Sequence, residues 1–186
     1  MKKLVIIDRD GTLNHNDRSK DGGPYHTLKP EQFEWIAGAQ EGLGLLAAQP
    51  DIIMHILTSQ DCIRQGLVTK EEVDLIHKKL NDDLEQSFGI RIPITIVYGP
   101  TEQEKIMIKT EAMQDILAEY TINQGIEIGE IWSIGDTEED ILAGNMIRSS
   151  TIHVELEHTR EKDKYVKEAK YHVKSFRDAV DIIIGK

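Results

Sequence analysis

Asp8 and Asp10 stand one residue apart at the end of the apolar run Leu4-Val5-Ile6-Ile7, and Gly11-Thr12-Leu13-Asn14 follows at once. Two carboxylates this close repel each other unless a cation or a proton lies between them. A hard divalent ion such as Mg2+, which takes oxygen ligands and keeps waters and phosphate oxygens around it, meets that need. An aspartate beside the ion can attack phosphorus and form an aspartyl-phosphate, and its neighbour is placed to hand a proton to the leaving oxygen. The same residues also read as a strand followed by an acidic turn, with Asp10-Gly11 making the bend.

A second acidic group follows the run Ile131-Trp132-Ser133-Ile134, as Gly135-Asp136-Thr137-Glu138-Glu139-Asp140. Asp136 before a helix is a favourable cap whatever its function, yet two acidic strand ends in one chain are hard to attribute to chance. Between these groups, the run from Ile52 to Leu57 ends in Thr58-Ser59-Gln60-Asp61. A hydroxyl at a strand end, followed by free backbone amides, can hold a phosphate oxygen. Either hydroxyl can equally cap the segment that follows.

Asp8-Arg9-Asp10-Gly11-Thr12-Leu13 resembles the first motif of the haloacid dehalogenase superfamily, and more closely that of its small phosphatases acting on histidinol phosphate and heptose bisphosphate. Gly135-Asp136 with Asp140 is similar to the superfamily's acidic fourth motif. The resemblance implies that Asp8 is the nucleophile and Asp10 the acid and base. It implies Mg2+ on Asp8, Asp136 and the backbone carbonyl of Asp10, with Asp140 supporting the metal waters or a lysine. Thr58, the amide of Ser59 and that lysine would hold the transferring phosphoryl group. Lys109, 27 residues before Asp136, is preferred for it, and Lys105, 31 before, is the alternative. An ammonium there would offset the charges of carboxylate and phosphate.

The chain also departs from these relatives. They carry Thr-Asn-Gln-Ser-Gly-Ile where this chain has Thr58-Ser59-Gln60-Asp61-Cys62-Ile63, which puts an extra carboxylate beside the phosphate site. Their zinc loop and Arg-Lys-Pro segment are replaced by the short Tyr98-Gly99-Pro100-Thr101-Glu102-Gln103-Glu104, so no zinc is expected. A heptose bisphosphate ranks first as substrate, histidinol phosphate second, and other small phosphate monoesters next.

The elements needed to position these residues are legible as periodicities. Leu4 to Ile7 reads as a strand buried on both faces, as in a parallel sheet, and ligands gather at the carboxyl ends of such strands. Leu43, Leu45, Leu46 and Ala47 mark a helix closed by Pro50-Asp51, ahead of the strand from Ile52, so the pair of strands should be parallel through a right-handed crossover. Thr69 and Glu72 form a capping box for a helix whose Val73, Ile76, Leu80 and Leu84 make it scaffold. Further strand runs are Ile92 to Val97, Ile131 to Ile134 and Thr151 to Val154, then a short His172-Val173 segment and an amphipathic helix with Phe176, Ala179, Val180, Ile183 and Ile184. The polar stretch 14–30 reads as a loop or small flap whose Tyr25 and His26 either touch substrate or pack on the surface. The expected fold is α/β, a three-layer Rossmann-like parallel sheet with helices on both faces, as one domain over residues 1–186 with no large cap.

Composition narrows the function. A net charge of −11 from 33 acidic and 22 basic residues disfavours a nucleic-acid partner. One cysteine, Cys62, allows neither an intramolecular disulfide nor a thiolate zinc cluster. Four apolar residues after Met1-Lys2-Lys3 are too few for a signal-peptide core, and no run approaches the ~20 residues of a membrane span. The expectation is a cytoplasmic enzyme acting on a small-molecule phosphate ester. A nucleic-acid end phosphatase and a non-catalytic phosphate-binding module stay open as alternatives.

Overall fold

The computed structural model describes residues 1–15, 27, 29–155 and 165–185. Six strands form one sheet: β1 (Lys2–Ile7), β2 (Ile52–Ser59), β3 (Ile94–Val97), β4 (Ile128–Gly135), β5 (Ser150–Val154) and β6 (Tyr171–Val173), in the order β3-β2-β1-β4-β5-β6. Every neighbouring pair is parallel. The side-chain alternation of a strand splits the core in two. Val5 and Ile7 face α1 (Ala39–Ala47), α3 (Lys70–Phe88, which follows the single turn α2, Asp61–Arg64) and α6 (Phe176–Ile184), where Leu43, Ile76, Leu80 and Phe176 are fully buried. Leu4 and Ile6 face the other side, against Met113 and Ile116 of α4 (Glu102–Ala118) and Ala143 of α5 (Glu138–Met146). Two helical layers on one sheet make the three-layer α/β fold expected from the sequence.

Local chemistry sets the ends of these elements. Thr69 Oγ1 accepts from the Glu72 amide at 3.2 Å and Glu72 Oε2 accepts from the Thr69 amide at 2.8 Å, which is the capping box at the start of α3. Several boundaries differ from the periodicity reading. β2 and β4 run on to Ser59 and Gly135, because each still pairs with a neighbouring strand there. β3 begins only at Ile94, since Pro93 has no amide to give to a ladder and the Ile92 amide is taken by Asn81 Oδ1 at 2.8 Å. The first helix ends at Ala47, before Pro50 is reached. α4 continues into a π-helical turn, Glu119–Asn123, that no sequence signal announced. Tyr25 and His26 lie outside the described residues.

Candidate active site

Asp8 and Asp10, Thr58 and Ser59, and Asp136 stand at the carboxyl ends of β1, β2 and β4, whereas Lys109 comes from α4 and Asp140 from α5. Asp8 follows β1, and its amide still donates to the Ile134 carbonyl at 2.9 Å, so it leaves the sheet beside the end of β4. The chain then turns tightly, with the Arg9 carbonyl accepting from the amides of Leu13 at 2.8 Å and Asn14 at 3.2 Å. Gly11 has φ +90, and a Cβ there would lie 2.3 Å from Asp136 Oδ2. Only glycine permits both the left-handed backbone and the close approach of the two acidic strand ends.

Asp8, Asp136 and Asp140 each offer an oxygen within 4.8 Å of the others, and all three are buried. Lys109, itself buried, donates to Asp8 Oδ1 at 3.3 Å and to Asp140 Oδ1. The other Asp140 oxygen accepts from Thr137 Oγ1 at 2.6 Å, so one carboxylate caps α5 and orients the lysine. Burial, then Asp140 and, more weakly, Asp136 and Asp10, push the Asp8 carboxyl well above its ordinary value, while Lys109 opposes them. Burial would lower the Lys109 ammonium, but Asp140 and Asp8 hold it above its ordinary value. Lys109 is thus shared by two of the three buried carboxylates. The hard-oxygen donor set and the surplus negative charge fit a divalent cation.

Asp10 sits in different surroundings. Burial alone would raise its carboxyl, but Arg9 and the hydrogen bonds from Asn14 and Gln60 hold it below its ordinary value. Arg9 Nε and Nη2 approach its two oxygens at 3.2 and 2.6 Å, Asn14 Nδ2 donates at 3.0 Å, and Gln60 Nε2 donates at 2.6 Å. Gln60 Nε2 also donates to Thr58 Oγ1 at 2.9 Å, which ties the end of β2 to Asp10. The buried Ser59 Oγ has no hydrogen-bond partner among the described residues.

Of the two candidate lysines, Lys105 goes elsewhere. Its Nζ lies 2.7 Å from Asp61 Oδ2, and the other Asp61 oxygen accepts from the Gly99 amide at 2.8 Å. The carboxylate that looked like an intruder at the phosphate site instead closes the short turn between β3 and α4. The assignment of α3 as scaffold is also too narrow: besides burying Val73, Ile76, Leu80 and Leu84, it presents His77 to Arg9 at 2.7 Å. Arg9, Asn14, Gln60 and His77 join the site without having been assigned a role from the sequence, although Arg9 lies between two aspartates and Gln60 stands within the motif shared with the phosphatases.

No family model matches the chain. Curated relatives do. The chain is 28% identical over 195 residues, 100% of its own length and 98% of the other, to D-glycero-beta-D-manno-heptose-1,7-bisphosphate 7-phosphatase of Pasteurella multocida. It is 26% identical over 145 residues, 76% of this chain and 74% of the other, to the enzyme of the same name from Bordetella bronchiseptica. Over most or all of its length the chain is thus similar to heptose-bisphosphate phosphatases. Its fold matches the crystal structure of D,D-heptose 1,7-bisphosphate phosphatase from B. bronchiseptica complexed with magnesium and phosphate, with a TM-score of 0.76 at 19% identity, covering 100% of this chain and 99% of the other. The corresponding Burkholderia thailandensis structure gives 0.62 at 20% identity, with both chains covered in full. Among the described residues, no helix is long and apolar enough to cross a membrane.

Proposed function

We propose that this chain is a Mg2+-dependent phosphatase that transfers the phosphoryl group of a small phosphate monoester to Asp8 and then to water. The observation that carries the reading is the cluster of Asp8, Asp136 and Asp140 with Lys109 held between two of them. Asp8, Asp136 and the backbone carbonyl of Asp10 would hold the metal, which supplies charge neutralisation and orientation for the phosphate oxygens. Asp8 attacks phosphorus in line as its carboxylate, a state that Lys109 favours. The ammonium also offsets charge on the transferring group, and Thr58 and the Ser59 amide complete the cradle. Catalysis of this type is mostly positioning and charge stabilisation.

Asp10 is the proton carrier. Resting against Arg9 it is a carboxylate, ready to take a proton from the water that hydrolyses the aspartyl-phosphate. A phosphate dianion arriving beside it raises its proton affinity, which is what donation to the leaving alcohol requires. Heptose bisphosphate is the first candidate substrate, supported by the names of the relatives above. We take residues 1–186 as one catalytic domain without a large cap, working in the cytoplasm.

Phosphate release from a panel of monoesters, with and without Mg2+, tests the reading. The panel holds heptose bisphosphate, histidinol phosphate, hexose phosphates and a 3′-phosphorylated oligonucleotide. One dominant substrate, with activity lost on metal removal and in Asp8→Asn, is the expected result. Tight phosphate binding with no hydrolysis of any ester would contradict it.

A further inference from the structure

Arg9 is fully buried, yet only two sides of its guanidinium are used by Asp10. Its Nη1 reaches across to His77 Nε2 at 2.7 Å. Arginine can only donate, so Nε2 must accept, and the ring must be neutral with its proton on Nδ1. Burial, followed by the Arg9 charge, lowers the His77 value to about 4, consistent with a neutral ring. His77 comes from the second turn of α3, a helix whose apolar stripe locks it against the sheet through Val73, Ile76 and Leu80. The imidazole is thus a fixed acceptor on a rigid element, and it sets the plane of the guanidinium. That plane in turn sets the two oxygens of Asp10, because Nε and Nη2 form a fork in fixed geometry.

We propose that His77 is a positioning residue for the acid and base: by accepting from Arg9 Nη1 it aims the guanidinium fork that holds the Asp10 carboxylate toward the reacting oxygen. The proposal rests on the phosphatase reading above. The ion pairs of Lys109 go to Asp8 and Asp140 rather than to His77, so binding of the phosphoryl group and attack on it should survive its loss. What should suffer is proton transfer. General acid and base catalysis contributes about 10²- to 10⁴-fold, and a misaimed Asp10 forfeits part of that.

The test compares wild type, His77→Phe and His77→Gln on a sugar phosphate and on p-nitrophenyl phosphate, whose leaving group needs no proton. His77→Phe should lower kcat on the sugar phosphate by about 10- to 100-fold with KM within about twofold. On p-nitrophenyl phosphate it should give a burst of nitrophenolate near one equivalent of enzyme, then slow turnover, because attack is intact and hydrolysis of the aspartyl-phosphate is not. His77→Gln, which keeps an acceptor, should restore most of kcat. Thermal melting of each variant corrects for the folded fraction. Equal kcat in folded His77→Phe and wild type would overturn the proposal, as would a loss without a burst that glutamine does not rescue. If wild type itself releases no phosphate, the phosphatase reading falls first and independently.

Discussion

Asp8 and Asp10 are separated by a single residue, yet the two faces of the sheet treat them in opposite ways. Asp8 turns toward the α4 and α5 side, where Asp136 and Asp140 crowd it and Lys109 is the cation it touches. Asp10 turns toward the α3 side, where Arg9, Asn14 and Gln60 all donate to it. The first carboxyl is pushed up and the second held down. The lesson is that charge surplus on one side and donor surplus on the other divide the labour: the strained side invites a cation and a phosphate, and the satisfied side keeps a carboxylate aimed. Neighbouring acids with environments that separate their proton affinities are a mark of acid and base assignment.

The largest effect should come from breaking the strained side. Asp8→Asn should lower turnover by on the order of 10⁴-fold or more, as removal of a nucleophile does. In metal-free protein the same variant should melt a few degrees higher than wild type, since it relieves a buried charge held for activity. Calorimetry with and without Mg2+ checks this, and a lower melting temperature in the metal-free variant would show that Asp8 is well satisfied as it stands.

Lys109→Met removes the cation from that surplus. Turnover should fall by about 10²- to 10³-fold, and stability by about 3–5 kcal/mol, the usual cost of leaving a buried charge unpartnered. Urea unfolding reads the second figure. A loss under about 1 kcal/mol would mean that Asp8 simply takes up a proton instead.

Histidines on the two faces give a pH signature. Burial lowers His55 on the α4 side and His77 on the α3 side from 6.5 to about 4. In that window the unfolded chain binds protons that the folded chain refuses, so stability falls as pH drops from about 6.5 toward 4. His55 shares hydrogen bonds with Tyr120 and Thr95, neither of which belongs to the site. His55→Gln should flatten part of the slope in unfolding free energy between pH 7 and 4.5 without changing turnover. An unchanged slope would show that the folded protein protonates His55 freely.

The smallest effect belongs to the turn beside the site. Asp61→Asn weakens the contact with Lys105 and should cost about 1 kcal/mol, with kcat changed less than about threefold. A larger change, confined to bisphosphate substrates, would show that Lys105 freed from Asp61 reaches the substrate.

The frame of the fold is written in residue patterns. Leu4 to Ile7 could only be a strand buried on both faces, Val73, Ile76, Leu80 and Leu84 could only lie on one helix face, and Asp8, Thr58 and Asp136 had to meet at one sheet edge once the strands were parallel. These follow from local periodicity and from the handedness of crossovers, which a single chain displays without its neighbours. Which lysine pairs with Asp8, what Asp61 does and whether α3 is mere scaffold were decided only in three dimensions. Lys105 and Lys109 lie one helical turn apart, so spacing could not separate them, whereas the structure sends one to Asp61 and the other to Asp8 and Asp140. His77 contacts Arg9 across 68 positions, a distance over which no local pattern carries information. Hydrophobic repeats write the scaffold into neighbouring residues, but charge pairing depends on which distant side chains share a buried space, and that is settled only when the layers close.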